Sequence, residues 1–351
     1  MTTVLVTGGA GFLGRHLVGH LLARGHTVRV LDNAPRERWH SLAGAEQIPG
    51  DVRDEGCVER ATAGAGAVVH AAFAPPQAPL AALEEVNVEA TRHLGRAAAA
   101  AGAARLVLVS STIVEQPLRS PGLLTRSPLA RLDAYRRSRL ASEAVVRGLG
   151  DELAVAVVRP RTFVGPGQVG GFALLLETIR AGGVVVIPGR GQSRYQLLDV
   201  RDLAEGVSRL VESTGDGTYR LGAPGASTVA QDLHGLIAHA GTGAGLVGLP
   251  AGLARLGMRA TELAGLAPLA SWYQVAAGRT GAAEATAGLD ELGWAPRRSN
   301  LEALSDTYDW YAGVREANRS APTTHPVPGS HRALDRALSV LPRRLLRPIP
   351  A

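Results

Sequence analysis

Residues 7–14 read Thr-Gly-Gly-Ala-Gly-Phe-Leu-Gly, set between the apolar run Val4-Leu5-Val6 and an amphipathic stretch from Arg15 to Arg24. The order is a strand, a glycine-rich turn and a helix start. The spacing Gly8, Gly11, Gly14 lets the turn bend tightly, brings a pyrophosphate against the backbone and packs the helix close to the strand. Hydrogen side chains alone permit all three. The N–H groups of the first helical turn, where Phe12 and Leu13 fall, then face the phosphates, and the helix dipole favours negative charge there. A second strand, Thr27 to Leu31, ends at Asp32, about 20 residues beyond the glycines, where a carboxylate takes the adenosine ribose hydroxyls. Asp32 favours NAD over NADP, because a 2'-phosphate would meet a carboxylate. Arg36 and Arg38 lie near enough in sequence to keep NADP as the alternative.

A hydrophobic content of 46% over 351 residues supports a substantial core in one large domain or two joined ones. The net charge of +6 comes wholly from arginine, since the sequence contains no lysine. These arginines are scattered, aromatic residues are only 4%, and no nucleic-acid module is present, so nucleic acid is not an expected partner. The most apolar stretch, Ala244 to Trp272, is broken by Arg255, Arg259 and Glu262, so neither a membrane span nor a signal peptide is expected. Cys57 stands alone, which excludes an internal disulfide and fits the reducing cytoplasm. No metal site is expected.

Short apolar runs alternate with helical patterns through the first half. Strands are expected at Thr3 to Val6, Thr27 to Leu31, Glu46 to Pro49, Ala67 to His70, Arg105 to Val109 and Ala154 to Val158. Helices are expected at Phe12 to Arg24, Glu55 to Ala63, Pro79 to Ala101 and Asp133 to Leu149. Continuous Val/Leu strands separated by helices imply an α/β fold, a doubly wound parallel sheet of the Rossmann type covered on both faces. The division expected is a dinucleotide-binding domain at 1–164, an interleaved and smaller C-terminal substrate-binding lobe at 165–315, and a tail at 316–351. In that tail Pro326, Pro328, Pro342, Pro348 and Pro350 bracket a basic amphipathic segment, His331 to Arg347, whose expected state is solvated or self-packed.

After the fifth strand comes Ser110-Ser111-Thr112, and later Tyr135-Arg136-Arg137-Ser138-Arg139 within a helix. Positions 135 and 139 are four apart and share one helical face. A phenol beside a fixed positive charge is a candidate proton-transfer group, because the charge stabilises the phenolate and lowers a reference pKa of about 10. Thr112 is placed to hydrogen-bond the same substrate oxygen.

These motifs resemble the extended short-chain dehydrogenase/reductase superfamily and, within it, the NAD-dependent epimerase/dehydratase family. The resemblance runs from Thr3 to about Tyr311. It rests on the glycine turn at 7–14, Gly-Asp-Val-Arg-Asp at 50–54, Val-Val-His-Ala-Ala at 68–72, Val-Asn-Val at 86–88, Ser-Ser-Thr at 110–112 and the tyrosine segment. Val-Arg-Pro at 158–160, Leu-Leu-Asp-Val-Arg-Asp-Leu-Ala at 197–204 and Leu-Gly-Trp-Ala-Pro at 292–296 extend it. By resemblance, Asp51 and Val52 contact the adenine, Ala71 and Ala72 line the middle of the dinucleotide, and Asn87 steadies the central helix and sheet. The same resemblance makes Tyr135 the catalytic acid/base and Thr112 its hydrogen-bonding partner. It sets Ser110, Arg139 and Pro160 beside the cofactor, Pro160 opening the turn next to the nicotinamide. A homodimer, packed through the helices at 79–101 and 133–149, is implied in the same way.

Two departures bear on the reaction. The family pattern is Tyr-x-x-x-Lys, and here Arg139 stands in the lysine position, keeping the charge but forming a poorer proton relay. Thr112 is followed by Ile113-Val114 rather than Asp-Glu, and Glu115 is displaced, which disfavours dehydration. The Tyr-Gly of many sugar epimerases is also absent. Arg194 and Arg279 are candidates to clamp a nucleotide diphosphate. The first expected function is therefore an NAD-dependent epimerase of a nucleotide sugar or related polyol. The alternatives are an NAD(P)-dependent dehydrogenase or reductase of a hydrophobic alcohol or ketone, similar to hydroxysteroid dehydrogenases, and a catalytically weakened nucleotide sensor.

Overall fold

Every strand of the central sheet ends at the same edge, because all seven run parallel. The computed structural model describes residues 1–115, 128–167, 170–250, 292–316 and 347–349. Strands β1 (Thr3–Thr7), β2 (Thr27–Asp32), β3 (Glu46–Pro49), β4 (Ala67–His70), β5 (Arg105–Val109) and β6 (Ala154–Pro160) lie within two residues of the sequence expectation. The seventh strand, Gly217–Leu221, was not expected; it pairs with β6 and completes the order Gly217–Leu221, β6, β5, β4, β1, β2, β3. That order reverses between β1 and β4, the crevice where open α/β sheets bind their ligands.

Strands β4 and β5 are buried at every position, as a sheet covered on both faces requires. Leu5, Leu31, Val68, Leu106, Leu108, Val155 and Val157 share one core with Val58, Leu94, Ala98 and Val146 from the helices α2 (Glu55–Thr62), α4 (Ala90–Ala100) and α5 (Pro128–Arg147). Helix α1 (Phe12–Ala23) packs with the helix Val200–Glu212. The long helical pattern expected at 79–101 is interrupted. It consists of α3 (Leu80–Glu84), a π-helical turn at Glu85–Glu89, and α4. Asn87 is buried in the middle of that turn, and π-turns of this kind often mark functional sites.

The chain forms two compact units. Among the described residues, the first comprises Met1–Arg161, Val200–Gly222 and 292–296, and contains the whole seven-stranded sheet. The second comprises Thr162–Asp199, residues of Ala223 onward to 250, and 297 onward. Its three-stranded sheet pairs Val184–Pro188 with Gly245–Leu249 in parallel and the latter with Arg347–Pro348 antiparallel. Leu176, Ile179, Ile187, Tyr195, Leu233, Leu304 and Tyr311 form its core. No described helix is long and apolar enough to cross a membrane.

Candidate active site

The site begins at the turn after β1. Gly8 has φ +73°, and a Cβ there would lie 2.8 Å from the Ala71 carbonyl carbon and the Ala72 nitrogen, so the turn and the tip of β4 touch through backbone alone. At Gly14 a Cβ would come within 2.2 Å of the Gly8 oxygen, which fixes how closely α1 approaches the turn. Gly11 opens α1 with no side-chain cap. Phe12 and Leu13 bury their side chains in its first turn. Asp32, half-buried at the end of β2, accepts hydrogen bonds from the Ala10 N–H (2.9 Å) and the Ala34 N–H (2.8 Å). Two bonds leave lone pairs on a carboxylate that accepts about four. A backbone cradle, an uncapped helix start and an acid at the next strand end fit a dinucleotide.

Beside this turn, Asp51 accepts from the Arg53 backbone N–H, from two Arg53 guanidinium nitrogens and from Asn33 Nδ2 (3.0 Å). The Arg53 guanidinium is the main cause holding its carboxyl at about 2. Val52 points into the core instead. Ala71 and Ala72 are half-buried after β4.

A buried polar chain ties this end to the helices. Thr91 Oγ1 donates to the Asn87 carbonyl (2.7 Å), so the His70 Nε2–H donates to Thr91 (2.9 Å), and His70 Nδ1 accepts from Thr7 Oγ1 (2.7 Å). Burial first, and the Arg139 charge second, hold His70 down to about 3, so it is a neutral bridge. Asn87 accepts from the Ala74 N–H (2.7 Å) and donates to Ser138 Oγ (3.0 Å), which in turn donates to the Tyr135 carbonyl (2.8 Å).

The reactive end lies at β5 and β6. Tyr135 is buried with Ala74 and Leu83, and Ile113 and Phe73 pack against the same cluster. Arg139 is 1% exposed; its Nη2 donates to the Val109 carbonyl, and its guanidinium carbon sits 4.9 Å from the centre of the Phe73 ring. Thr112 begins a short 3₁₀ turn, Thr112–Glu115, and its hydroxyl donates to the Pro160 carbonyl (3.3 Å). Ser110 is buried, and its hydroxyl donates to Glu143 (2.6 Å).

The expectation that Arg139 lowers the Tyr135 phenol is corrected. Burial pushes the phenol above its ordinary 10.0, and the Arg139 charge pulls it back only in part. Desolvation of an apolar pocket outweighs one neighbouring cation. Glu115 accepts from Arg159 (3.0 Å) and Arg220 (2.5 Å), so it is committed to two arginines.

Arg194 belongs to the second unit, is exposed, and donates to the Ala226 carbonyl (2.5 Å). Arg279 lies outside the described residues, as does most of the expected tail. Sequence reasoning missed His70, Phe73, Glu143 and Arg159. Glu143 carried a signal, standing four residues after Arg139 and eight after Tyr135.

Residues 4–222 match the NAD dependent epimerase/dehydratase family, well over half of the chain, and the chain belongs to that family. It is 31% identical over 325 residues to the uncharacterized protein y4nG of Sinorhizobium fredii, covering 91% of this chain and 80% of that protein. It is 33% identical over 220 residues to a 3 beta-hydroxysteroid dehydrogenase/Delta 5→4-isomerase of Mycobacterium tuberculosis, covering 58% of each. The UDP-glucose 4-epimerase of Thermus thermophilus, solved with NAD, superposes with a TM-score of 0.63 at 26% identity, covering 89% of this chain and 99% of that one. The protein is thus an enzyme of the NAD-dependent epimerase/dehydratase family.

Proposed function

We propose that the protein is an NAD-dependent epimerase of a nucleotide sugar or a related polyol. The observation that carries this reading is the convergence of Tyr135, Arg139 and the turn holding Thr112 at the sheet edge that also carries the glycine turn. NAD, when bound, would supply a hydride acceptor and donor: the carbinol hydrogen would leave as hydride and come back to the opposite face of the ketone, inverting the centre with no net redox change. Tyr135 removes the hydroxyl proton as the carbonyl forms and gives it back when the alcohol is restored. Arg139 favours the phenolate from which this cycle starts and to which it returns, offsetting part of the desolvation that holds the phenol up. Thr112 turns its hydroxyl to the substrate oxygen. Glu115, held by Arg159 and Arg220, has no part in removing water, which agrees with epimerisation rather than dehydration. Asp32 is the reason to name NAD rather than NADP. A homodimer through α4 and α5 and a cytoplasmic location complete the reading.

A second reading, a net dehydrogenase of a hydrophobic alcohol or ketone, is favoured by the hydroxysteroid dehydrogenase relative. One experiment separates the two. Protein purified without added cofactor is denatured, and the released nucleotide is identified and quantified. Near-stoichiometric NAD, with interconversion of a nucleotide sugar and no accumulation of NADH, is expected. An empty protein that forms NADH stoichiometrically from a hydrophobic alcohol overturns the epimerase reading.

A further inference from the structure

Glu143 is the third residue of a series on α5, at Tyr135, Arg139 and Glu143, that recurs every four positions along one face. Its side chain is 0% exposed. Oε1 accepts from Ser110 Oγ (2.6 Å) and Arg159 Nε (3.0 Å); Oε2 accepts from Arg159 Nη2 (2.6 Å) and Arg147 Nη2 (2.8 Å). Four bonds saturate a carboxylate. Two of these partners lie beside residues of the reactive end. Ser110, whose N–H also donates to the Val158 carbonyl (2.6 Å), stands two residues before Thr112. Arg159 immediately precedes Pro160, whose carbonyl receives the Thr112 hydroxyl.

We propose that Glu143 is the positioning residue of the reactive end, a single buried anion that ties α5, the end of β5 and the end of β6 together. It thereby sets Tyr135 and Arg139 against Thr112 and Pro160. A buried ion pair adds little net stability over a well-packed apolar pair, because desolvation offsets the attraction. What it supplies is directional geometry: each of the four bonds fails if its element slides. Burial raises the Glu143 carboxyl, but the bonds from Arg159 and Ser110 outweigh it and hold the group below its ordinary 4.5. The anion therefore persists at working pH and also favours the buried Arg139 charge, whose ionisation burial disfavours.

This inference rests on the reading above, in which the nicotinamide half of NAD meets Tyr135, Arg139 and Pro160 while the adenosine half meets Gly8, Asp32 and Asp51. The test compares two probes by calorimetry, NAD and ADP, the second occupying only the adenosine half. Glu143→Gln keeps the shape and removes the charge; it is expected to weaken NAD about tenfold or more and ADP less than about twofold, a loss typical of one charge-assisted bond. Ser110→Ala, a milder change should Glu143→Gln fold poorly, is expected to weaken NAD about threefold with ADP unchanged. A general structural role would weaken both probes alike or neither, and an unchanged ratio of NAD to ADP affinity in both variants overturns the inference. If the wild-type protein binds ADP as tightly as NAD, the underlying reading of the nicotinamide side fails, and the inference with it.

Discussion

The glycine turn and the inner face of α5 border one edge of one sheet, yet they are built by opposite means. At the turn, side chains are removed so that backbone meets backbone, as at Gly8 against Ala71 and Ala72. On α5, large charged side chains are buried and matched one against another: Arg139 against the Phe73 ring and the Val109 carbonyl, Glu143 against Ser110, Arg147 and Arg159. The difference teaches where damage travels. A fault at the turn is steric and local, whereas a fault on α5 is electrostatic and shared by three elements.

The sharpest test of that contrast is Tyr135→Phe, which deletes one proton-transfer group and no packing. Turnover of the identified substrate should fall about a thousandfold, within the usual range for general acid–base groups, with NAD affinity within about threefold. A collapse of NAD affinity would mean that α5 holds the cofactor rather than moving a proton. Next in size is Gly14→Ala, because its Cβ has no room against the Gly8 oxygen. A loss of about 3 kcal/mol in thermal or denaturant unfolding is expected, and calorimetry should show NAD binding lost with it. Retained binding would show that α1 can retreat, and that the turn is less local than described.

Asp32→Ala comes third. Removing the acceptor of the Ala10 and Ala34 N–H groups should weaken NAD by about tenfold and narrow the preference over NADP. Unchanged discrimination between the two would move the selection to the arginines after β2. The last test, whose effect on the pH slope vanishes above pH 6.5, concerns the bridge between the two regions. His70 is held at about 3 against an ordinary 6.5, so between those values the unfolded chain takes up a proton that the folded chain refuses. Its contribution is complete above pH 6.5 and is lost as the pH falls toward 3. His70→Asn should flatten the stability curve across that window by about one proton, roughly 1.4 kcal/mol per pH unit. An unaltered slope in urea unfolding would show that His70 is not the neutral link.

The turn was legible because its chemistry is a spacing of glycines followed by an acid, and spacing is what a sequence displays. Strands β1 to β6 were legible for a related reason: most are buried on both faces and read as unbroken Val/Leu runs. Gly217–Leu221 hid because it is an edge strand with only Tyr219 and Leu221 buried, so no apolar run announces it. The π-turn at Glu85–Glu89 lies inside one continuous helical run with no glycine or proline to mark it, so periodicity passes over it. On α5 the charges were visible and their burial was not. That is why the Tyr135 phenol was expected to shift down and is held up instead, and why Glu143 carried a spacing but no role.

The late arrival of Gly217–Leu221 has a consequence for synthesis. Its partner β6 leaves the ribosome first, and Thr162–Asp199, which belongs to the other unit, emerges in between. Until residue 221 is available, the backbone of Ala156–Pro160 is an open sheet edge, able to pair with any other chain that offers a strand. Shortened forms that stop before residue 217 keep that edge permanently, and they should accumulate as aggregates rather than as small independent dinucleotide-binding domains.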